Sequence, residues 1–325
     1  MSFDADHIVD RRRMRRKLVF WRTLAILVAI AAVAAAAIGL GGRNFDAPGA
    51  AQIARVTIRG LIRVDQERVE ALEALSKAHS ARAVIVHIDS PGGTTAGSEQ
   101  LHDSLRQLSA KKPMVVVVDG LAASGGYIAA MSSDHIIAQD TSLVGSVGVL
   151  FQYPNVSDLL KTVGVQVETI RSTPLKAAPN GLEPTTPEAR AAVEAIVKDS
   201  YAWFREMVGN RRKLTGEALD RVADGRVFTG RQAIPLKLID EIGNEQTAVD
   251  WLAKEKAVDP KTPVRDWRLQ PRFGDFDFIH LGTAALLDAV GLRSLARRIE
   301  DSAAVQTIDR LNLDGLLALW HPSAP

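Results

Sequence analysis

Two near-continuous apolar runs constrain the fold of this chain more than any other feature. Ala83-Val84-Ile85-Val86-His87-Ile88 and Met114-Val115-Val116-Val117-Val118 are each one strand long and bounded by turn residues. A strand with one wet face alternates, whereas a run that is apolar throughout suits a strand covered on both faces, as in a parallel sheet. Leu101, Leu105 and Leu108 lie between the runs at spacings of four and three, which predicts a helix. Arg55-Val56-Thr57-Ile58-Arg59 alternates as an earlier strand would, and His135-Ile136-Ile137-Ala138 reads as a short later one. The order is β-α-β-α-β, an α/β chain with right-handed crossovers expected. A long helix is expected from about Pro187 to Arg212, with Thr185 or Thr186 as its cap, Pro187 in its first turn and Glu188 favouring the dipole.

The N-terminus is built differently. Residues 24–40 form an uncharged apolar stretch that as a helix spans roughly 25 Å, within the range of a membrane-spanning segment. Arg11, Arg12, Arg13, Arg15, Arg16, Lys17 and Arg22 precede it. The first 22 residues hold seven basic and three acidic side chains, a net +4, which leaves −2 for the rest of a chain of net charge +2. The basic character is therefore a local insertion signal and gives no support to nucleic-acid binding. A basic flank on the inner side places everything after residue 43 outside the cytoplasm. A cleaved signal peptide is the competing reading, because Ala34-Ala35-Ala36 satisfies a small-residue cleavage rule, but the apolar run is longer than most signal cores.

The organisation expected is a basic cytoplasmic N-terminus (1–23), a transmembrane signal anchor (24–40), a linker (41–50), a catalytic domain (51–258) and a C-terminal extension (259–325). Within the extension, residues 284–299 read as an amphipathic helix that lies on anionic lipid or packs on the protein. The chain has no cysteine, so disulfides, thiol nucleophiles and thiolate metal sites are excluded. Its seven histidines are scattered without HExxH spacing, so no metal or other cofactor is expected.

Loops that follow parallel strands are where α/β sheets build their sites. After Ile88 comes Asp89-Ser90-Pro91-Gly92-Gly93-Thr94, and after Val118 comes Asp119-Gly120-Leu121-Ala122-Ala123-Ser124-Gly125-Gly126. Ser124 sits where a helix would begin, and there backbone N–H groups and the helix dipole favour developing negative charge. The glycines beside it let a substrate backbone approach. The plain alternative is an N-cap serine on a tightly packed helix. The glycines of the first loop can supply half of an oxyanion hole, and no GxxxxGK[ST] or GxGxxG pattern makes them a phosphate loop. Hydrolysis by serine also needs a base. No histidine has an obvious claim, since His87 lies within a strand and His135 opens another. A lysine serves that role where burial lowers its pKa.

Four segments, Ile88-Asp89-Ser90-Pro91-Gly92-Gly93, Ala123-Ser124-Gly125-Gly126-Tyr127, Gly145-Ser146-Val147-Gly148-Val149 and Gly225-Arg226-Val227-Phe228-Thr229-Gly230-Arg231-Gln232-Ala233, stand in an order that resembles the signal peptide peptidase A family. The resemblance covers roughly residues 50 to 255. It implies a serine–lysine membrane protease with a Clp-protease/crotonase-like fold, a repeated β-β-α/β-α-β spiral around a parallel sheet. By position, Ser124 resembles the family's nucleophile. Arg171-Ser172-Thr173-Pro174-Leu175-Lys176 matches the segment holding its general base, which makes Lys176 that base. The chain departs from the pattern at Thr173-Pro174-Leu175. Ser146 resembles the serine that hydrogen-bonds the lysine amine, and Gly92 the oxyanion donor, with the Ser124 N–H as the second.

Some family members carry two copies of the module, whereas this chain has one. The resemblance therefore implies a ring-like homo-oligomer in which Lys176 of one subunit meets Ser124 of its neighbour. It also implies an inner-membrane location with the catalytic domain on the periplasmic side, and cleaved signal peptides as substrates. Two other classes share the fold: a crotonase-like acyl-CoA enzyme, which an exported domain disfavours, and an inactive scaffold, which the presence of Ser124, Lys176 and Ser146 together disfavours.

Overall fold

The computed structural model describes Lys17, residues 20–24, Val28, residues 51–269 and the backbone of residues 317–319. Among these residues no helix is long and apolar enough to cross a membrane. The expected anchor at 24–40 lies outside the described residues apart from Leu24 and Val28, as does the amphipathic helix expected at 284–299. Residues 1–50 and residues 51–325 form separate compact units.

The second unit opens with β1 (Gln52–Ile62), α1 (Gln66–Lys77), β2 (Ala81–Thr94), α2 (Thr95–Ser109), β3 (Met114–Ala123), α3 (Gly125–Ala130), β4 (Ile136–Ala138) and β5 (Leu143–Gly145). There follow α4 (Ser157–Thr162), α5 (Pro187–Arg212), α6 (Gly216–Val222), β6 (Val227–Thr229), α7 (Gly230–Ala233), β7 (Glu241–Ile242), α8 (Glu245–Lys256), β8 (Val264–Asp266) and β9 (Leu317–Leu319). The strands form one mixed sheet with the path β6-β5-β3-β2-β1-β8. The central pairs β1·β2 and β2·β3 are parallel, and β5·β6 and β2·β9 are antiparallel.

The two apolar runs are the central strands, covered on both faces. Val84, Val86, Ile88, Val116 and Val118 face a core that includes Leu72, Leu75, Leu101, Leu105, Leu108 and Phe204. Ala83, Ile85, Val115 and Val117 face a second core built with Ala248, Val249 and Leu252 of α8. Each fully buried valine or isoleucine contributes roughly 1.5–3 kcal/mol relative to exposure, so the runs are the main source of stability in the sheet. Helix α1, between β1 and β2, was not among the expected elements. Asp65 caps it by accepting from the Arg68 N–H, and only Leu72 and Leu75 of its residues are buried, a stripe too narrow to stand out in the sequence. Helix α5 matches expectation at both ends, and Thr186 is the cap. β8 and β9 extend the sheet beyond residue 258, so the C-terminal segment contributes strands to the same sheet as β1 and β2.

Strand β3 forks. Its first half, Val116–Val118, pairs with β4, and its second half, Leu121–Ala123, pairs with β5. β2 and β3 run in register to Ile88 and meet once more at Ser90 opposite Ala122. Beyond that point β2 continues along β1 with Leu61 opposite Gly92 and Ile62 opposite Gly93. The two loops singled out in the sequence therefore sit side by side at the carboxyl ends of parallel strands.

Candidate active site

Ser124 lies between the end of β3 and the start of α3, with φ 53° and ψ −115°. A non-glycine residue there costs on the order of 1–3 kcal/mol, strain that persists only where surrounding structure fixes it. Ser124 is fully buried and makes no side-chain cap to α3, so the N-cap explanation of its identity fails. Its hydroxyl reaches the Gly148 carbonyl at 3.5 Å, the outer limit of a hydrogen bond. The strand–turn–helix setting is that of a nucleophile held on a sharp, strained turn.

What fixes the turn is backbone contact on two sides. The Ser124 N–H donates to the Gly145 carbonyl at 2.8 Å, continuing the β3–β5 ladder. The Gly126 Cα packs so closely on the first loop that a Cβ there would lie 2.6 Å from the Ser90 carbonyl oxygen. The sequence suggested these glycines for substrate access, but the structure gives Gly126 a different reason: it lets α3 sit on the Ser90 loop. Below, Tyr127 is fully buried and its hydroxyl donates to the Leu238 carbonyl at 2.7 Å. Burial pushes its phenol well above the ordinary range, so it stays a neutral donor. The segment that supplies its acceptor is more than a hundred residues away, which no local pattern could reveal.

The first loop is held by Ser90, whose hydroxyl donates to the Gly60 carbonyl at 2.7 Å and accepts from the Gly92 N–H at 3.1 Å. Gly92 has φ 101°, a conformation that side chains rarely adopt. Both expected oxyanion donors are thus engaged: Gly92 N–H with Ser90 Oγ, and Ser124 N–H with Gly145. The Ser124 amide cannot turn to a substrate without breaking the β5 contact. The first helical bonds of α3 run from the Tyr127 and Ile128 N–H groups to the Ser124 carbonyl at 2.9 Å, so the Gly125 and Gly126 N–H groups precede the helix ladder.

Ser146 is brought to the site. It follows Gly145, which pairs with Ala123, so the two serines are neighbours across the β3–β5 pair. Ser146 is buried, has φ 53°, and its N–H donates to the Arg226 carbonyl at 2.7 Å. The Gly225–Ala233 segment thereby has a role, since it supplies the carbonyl and strand β6 that hold Ser146 in place.

Lys176 is exposed and takes no part in the hydrogen bonds around Ser124 and Ser146. It sits on an exposed turn with its N–H donated to the Thr173 carbonyl at 3.1 Å, and among the described residues no hydrogen bond joins it to Ser124 or Ser146. Its segment, between β5 and α5, holds a single short helix and leaves Leu159, Val163, Val165, Ile170 and Leu175 exposed. The first half of α5 is similarly bare: Ile196 is exposed, and the helix buries only Ala189, Phe204 and Val208.

His87 and His135 are held by partners of their own, away from Ser124. His87 Nδ1 lies 2.7 Å from Asp119 and its Nε2 2.9 Å from Glu245, on the α8 side of the sheet. His135 bonds Glu241 at 3.1 Å and stacks on Trp251 at 4.6 Å. A cavity of about 300 Å³ lined by Met131, Ser133, Asp134 and Asn210–Lys213 lies at the far end of α3 from Ser124, too remote to serve it.

Comparison with known proteins converges on one group. Residues 106–259 match the family profile of peptidase family S49, and residues 58–140 match that of Clp protease. A Synechocystis protein provisionally named a protease is 37% identical over 211 residues, 64% of this chain and 76% of that protein. A Methanocaldococcus jannaschii protein, also provisionally named a protease, is 32% identical over 225 residues, 65% of this chain and 72% of its own length. Protease 4 of Haemophilus influenzae is 31% identical over 232 residues, which span 67% of this chain but 37% of that larger protein.

Proposed function

The chain belongs to peptidase family S49, the signal peptide peptidase A family, and from that premise we propose that it is a membrane-anchored serine endopeptidase with Ser124 as nucleophile and Lys176 of a neighbouring copy as general base. The observation that carries this reading is the setting of Ser124: buried, strained, uncapped, on a strand-to-helix turn between the Ser90 loop and Ser146.

In the proposed reaction the neutral amine of Lys176 takes the proton from Ser124 Oγ, which attacks the peptide carbonyl. The tetrahedral oxyanion is met by N–H groups, each worth about 3 kcal/mol of transition-state stabilisation. Gly92 supplies one by exchanging its bond to Ser90 for the oxyanion. Gly125 supplies the other, because the Ser124 amide is committed to Gly145. The Lys176 ammonium then protonates the leaving amine, and water hydrolyses the acyl-enzyme by the same route. Ser146 orients the amine.

Two features favour completion by a second copy: Lys176 stands apart from Ser124, and the segment that carries it exposes apolar side chains a monomer leaves uncovered. The basic flank and apolar stretch at residues 11–40 support a membrane anchor with the catalytic unit on the periplasmic side. Membrane-associated peptides with apolar cores, cleaved signal peptides among them, are the substrates that suit such a position.

The test is labelling and turnover together, on detergent-solubilised full-length chain. A serine-reactive fluorophosphonate is expected to label wild type at Ser124, and an apolar fluorogenic peptide to be hydrolysed by wild type but not by Ser124→Ala. Undiminished hydrolysis by Ser124→Ala would remove the nucleophile from this reading.

A further inference from the structure

Lys176 stands on an exposed stretch, residues 172–177, that is fastened at its base. Arg171 and Glu183 flank the loop and are largely covered, with side chains 19% and 28% accessible. The Glu183 carboxylate accepts from the Thr169 hydroxyl at 2.5 Å and from the Arg171 guanidinium at 2.8 Å. These bonds, Thr169 first, hold its carboxyl below the ordinary glutamate range, so it is an anion and a pure acceptor at neutral pH. The Arg171 Nε is buried without a partner, and among the described residues Glu183 is the acceptor its guanidinium meets. One carboxylate thus closes the loop from both strands of its neck.

The returning arm is pinned as well. Asn180 Oδ1 accepts from the Leu182 and Glu183 N–H groups at 3.0 and 3.3 Å, and the Gly181 carbonyl accepts from the Val156 N–H at 2.8 Å. A Cβ on Gly181 would lie 2.1 Å from the Pro154 carbonyl oxygen. At the tip, the Lys176 N–H donates to the Thr173 carbonyl and Ala177 takes φ 56°, a conformation that side chains rarely adopt.

We propose that Glu183, acting through Arg171 and Thr169, is a positioning residue that preforms the loop presenting Lys176 to Ser124 of a neighbouring copy. The inference rests on the reading of Lys176 as general base. A flexible lysine on a slack loop would seldom meet the hydroxyl, and a misplacement of about 1 Å can cost roughly a hundredfold in rate. Fixing the backbone beneath it within each copy supplies that alignment before the copies meet.

The experiment measures kcat, KM, oligomer mass and hydrogen exchange at the Lys176 and Ala178 amides of the detergent-solubilised full-length chain. Glu183→Ala is expected to lower kcat about ten- to hundredfold at unchanged KM and mass, and to speed exchange at both amides about tenfold. Glu183→Gln keeps an acceptor oxygen without the charge, and charge-assisted bonds are about twice as strong as neutral ones, so its kcat is expected to lie between. Exchanging the pair, Arg171→Glu with Glu183→Arg, is expected to return kcat to within about threefold of wild type while each single exchange stays low, because the Thr169 hydroxyl accepts as well as donates. A wild-type kcat in Glu183→Ala overturns the inference, and so does a fall in kcat that comes with loss of the oligomer or with unchanged exchange. Should Glu183→Ala fail to fold, the exchanged pair decides, and a pair no more active than its single variants overturns the inference. Wild-type hydrolysis by Lys176→Ala overturns the base reading instead, whatever the Glu183 variants do.

Discussion

The Ser124 amide donates to the Gly145 carbonyl at 2.8 Å, which ties the turn that carries one serine to the residue that precedes the other. Ser124 and Ser146 share the same left-handed backbone angle, φ 53°, on the two sides of this bond. Their spacing is therefore set by a sheet ladder and does not depend on side-chain packing. Such a link limits how far either hydroxyl can drift from its working position.

The proposed sharing of Ser124 and Lys176 between copies makes complementation measurable. Mixing Ser124→Ala and Lys176→Ala subunits before assembly is expected to restore on the order of a quarter of wild-type activity, the fraction of shared sites that receive both intact groups at random. Each variant alone is expected to be inactive. Verified mixed oligomers without activity would rule out a shared dyad.

Gly126 has no room for a methyl group, because its Cβ would meet the Ser90 carbonyl oxygen at 2.6 Å. Alanine gains up to about 1 kcal/mol in helix propensity. Overpacking against backbone costs about 1–3 kcal/mol, so the net effect is destabilising. Gly126→Ala is expected to lower the denaturant midpoint and to reduce hydrolysis at least about tenfold, as the Ser90 loop shifts from the nucleophile. A midpoint equal to wild type would mean the contact relaxes freely.

Tyr127→Phe deletes the hydroxyl that satisfies the buried Leu238 carbonyl. Leaving that acceptor unpaired costs about 1–3 kcal/mol. Chemical denaturation should read this as a lower midpoint at unchanged slope. Full stability in the variant would show that another donor reaches Leu238.

Glu245 accepts from Arg55, and this bond, followed by His87, holds its carboxyl below the ordinary glutamate range. A depressed folded value means the contribution to stability is complete above about pH 4.3 and is lost as pH falls through the lower folded value. Glu245→Gln is expected to be less stable than wild type at pH 7, with the gap closing below about pH 4. Thermal melts across pH 3–7 check this; a gap independent of pH would assign the loss to packing.

The sheet was legible because Ala83–Ile88 and Met114–Val118 carry their burial in their composition, and the helix at Leu101–Leu108 because its spacing is periodic. Ser124 was legible through the glycines that follow it, although the reason for Gly126 proved to be the Ser90 carbonyl. Pairings between distant segments were not legible: Tyr127 with Leu238, Ser146 with Arg226, and β9 with Gly92–Thr94. Each ends on a backbone group, and backbone groups are the same in every residue, so side-chain pattern does not reveal which partner is met. The engagement of the Ser124 amide with the Gly145 carbonyl was hidden for the same reason.

Ile170 is fully exposed, and Leu159 and Val163 on the same segment are more than half exposed. A lone copy of this chain is consequently adhesive. It carries hydrocarbon that water rejects and that any passing protein can satisfy. Under the proposed assembly a second copy would cover this surface, so an unassembled chain is expected to be the form most prone to aggregate.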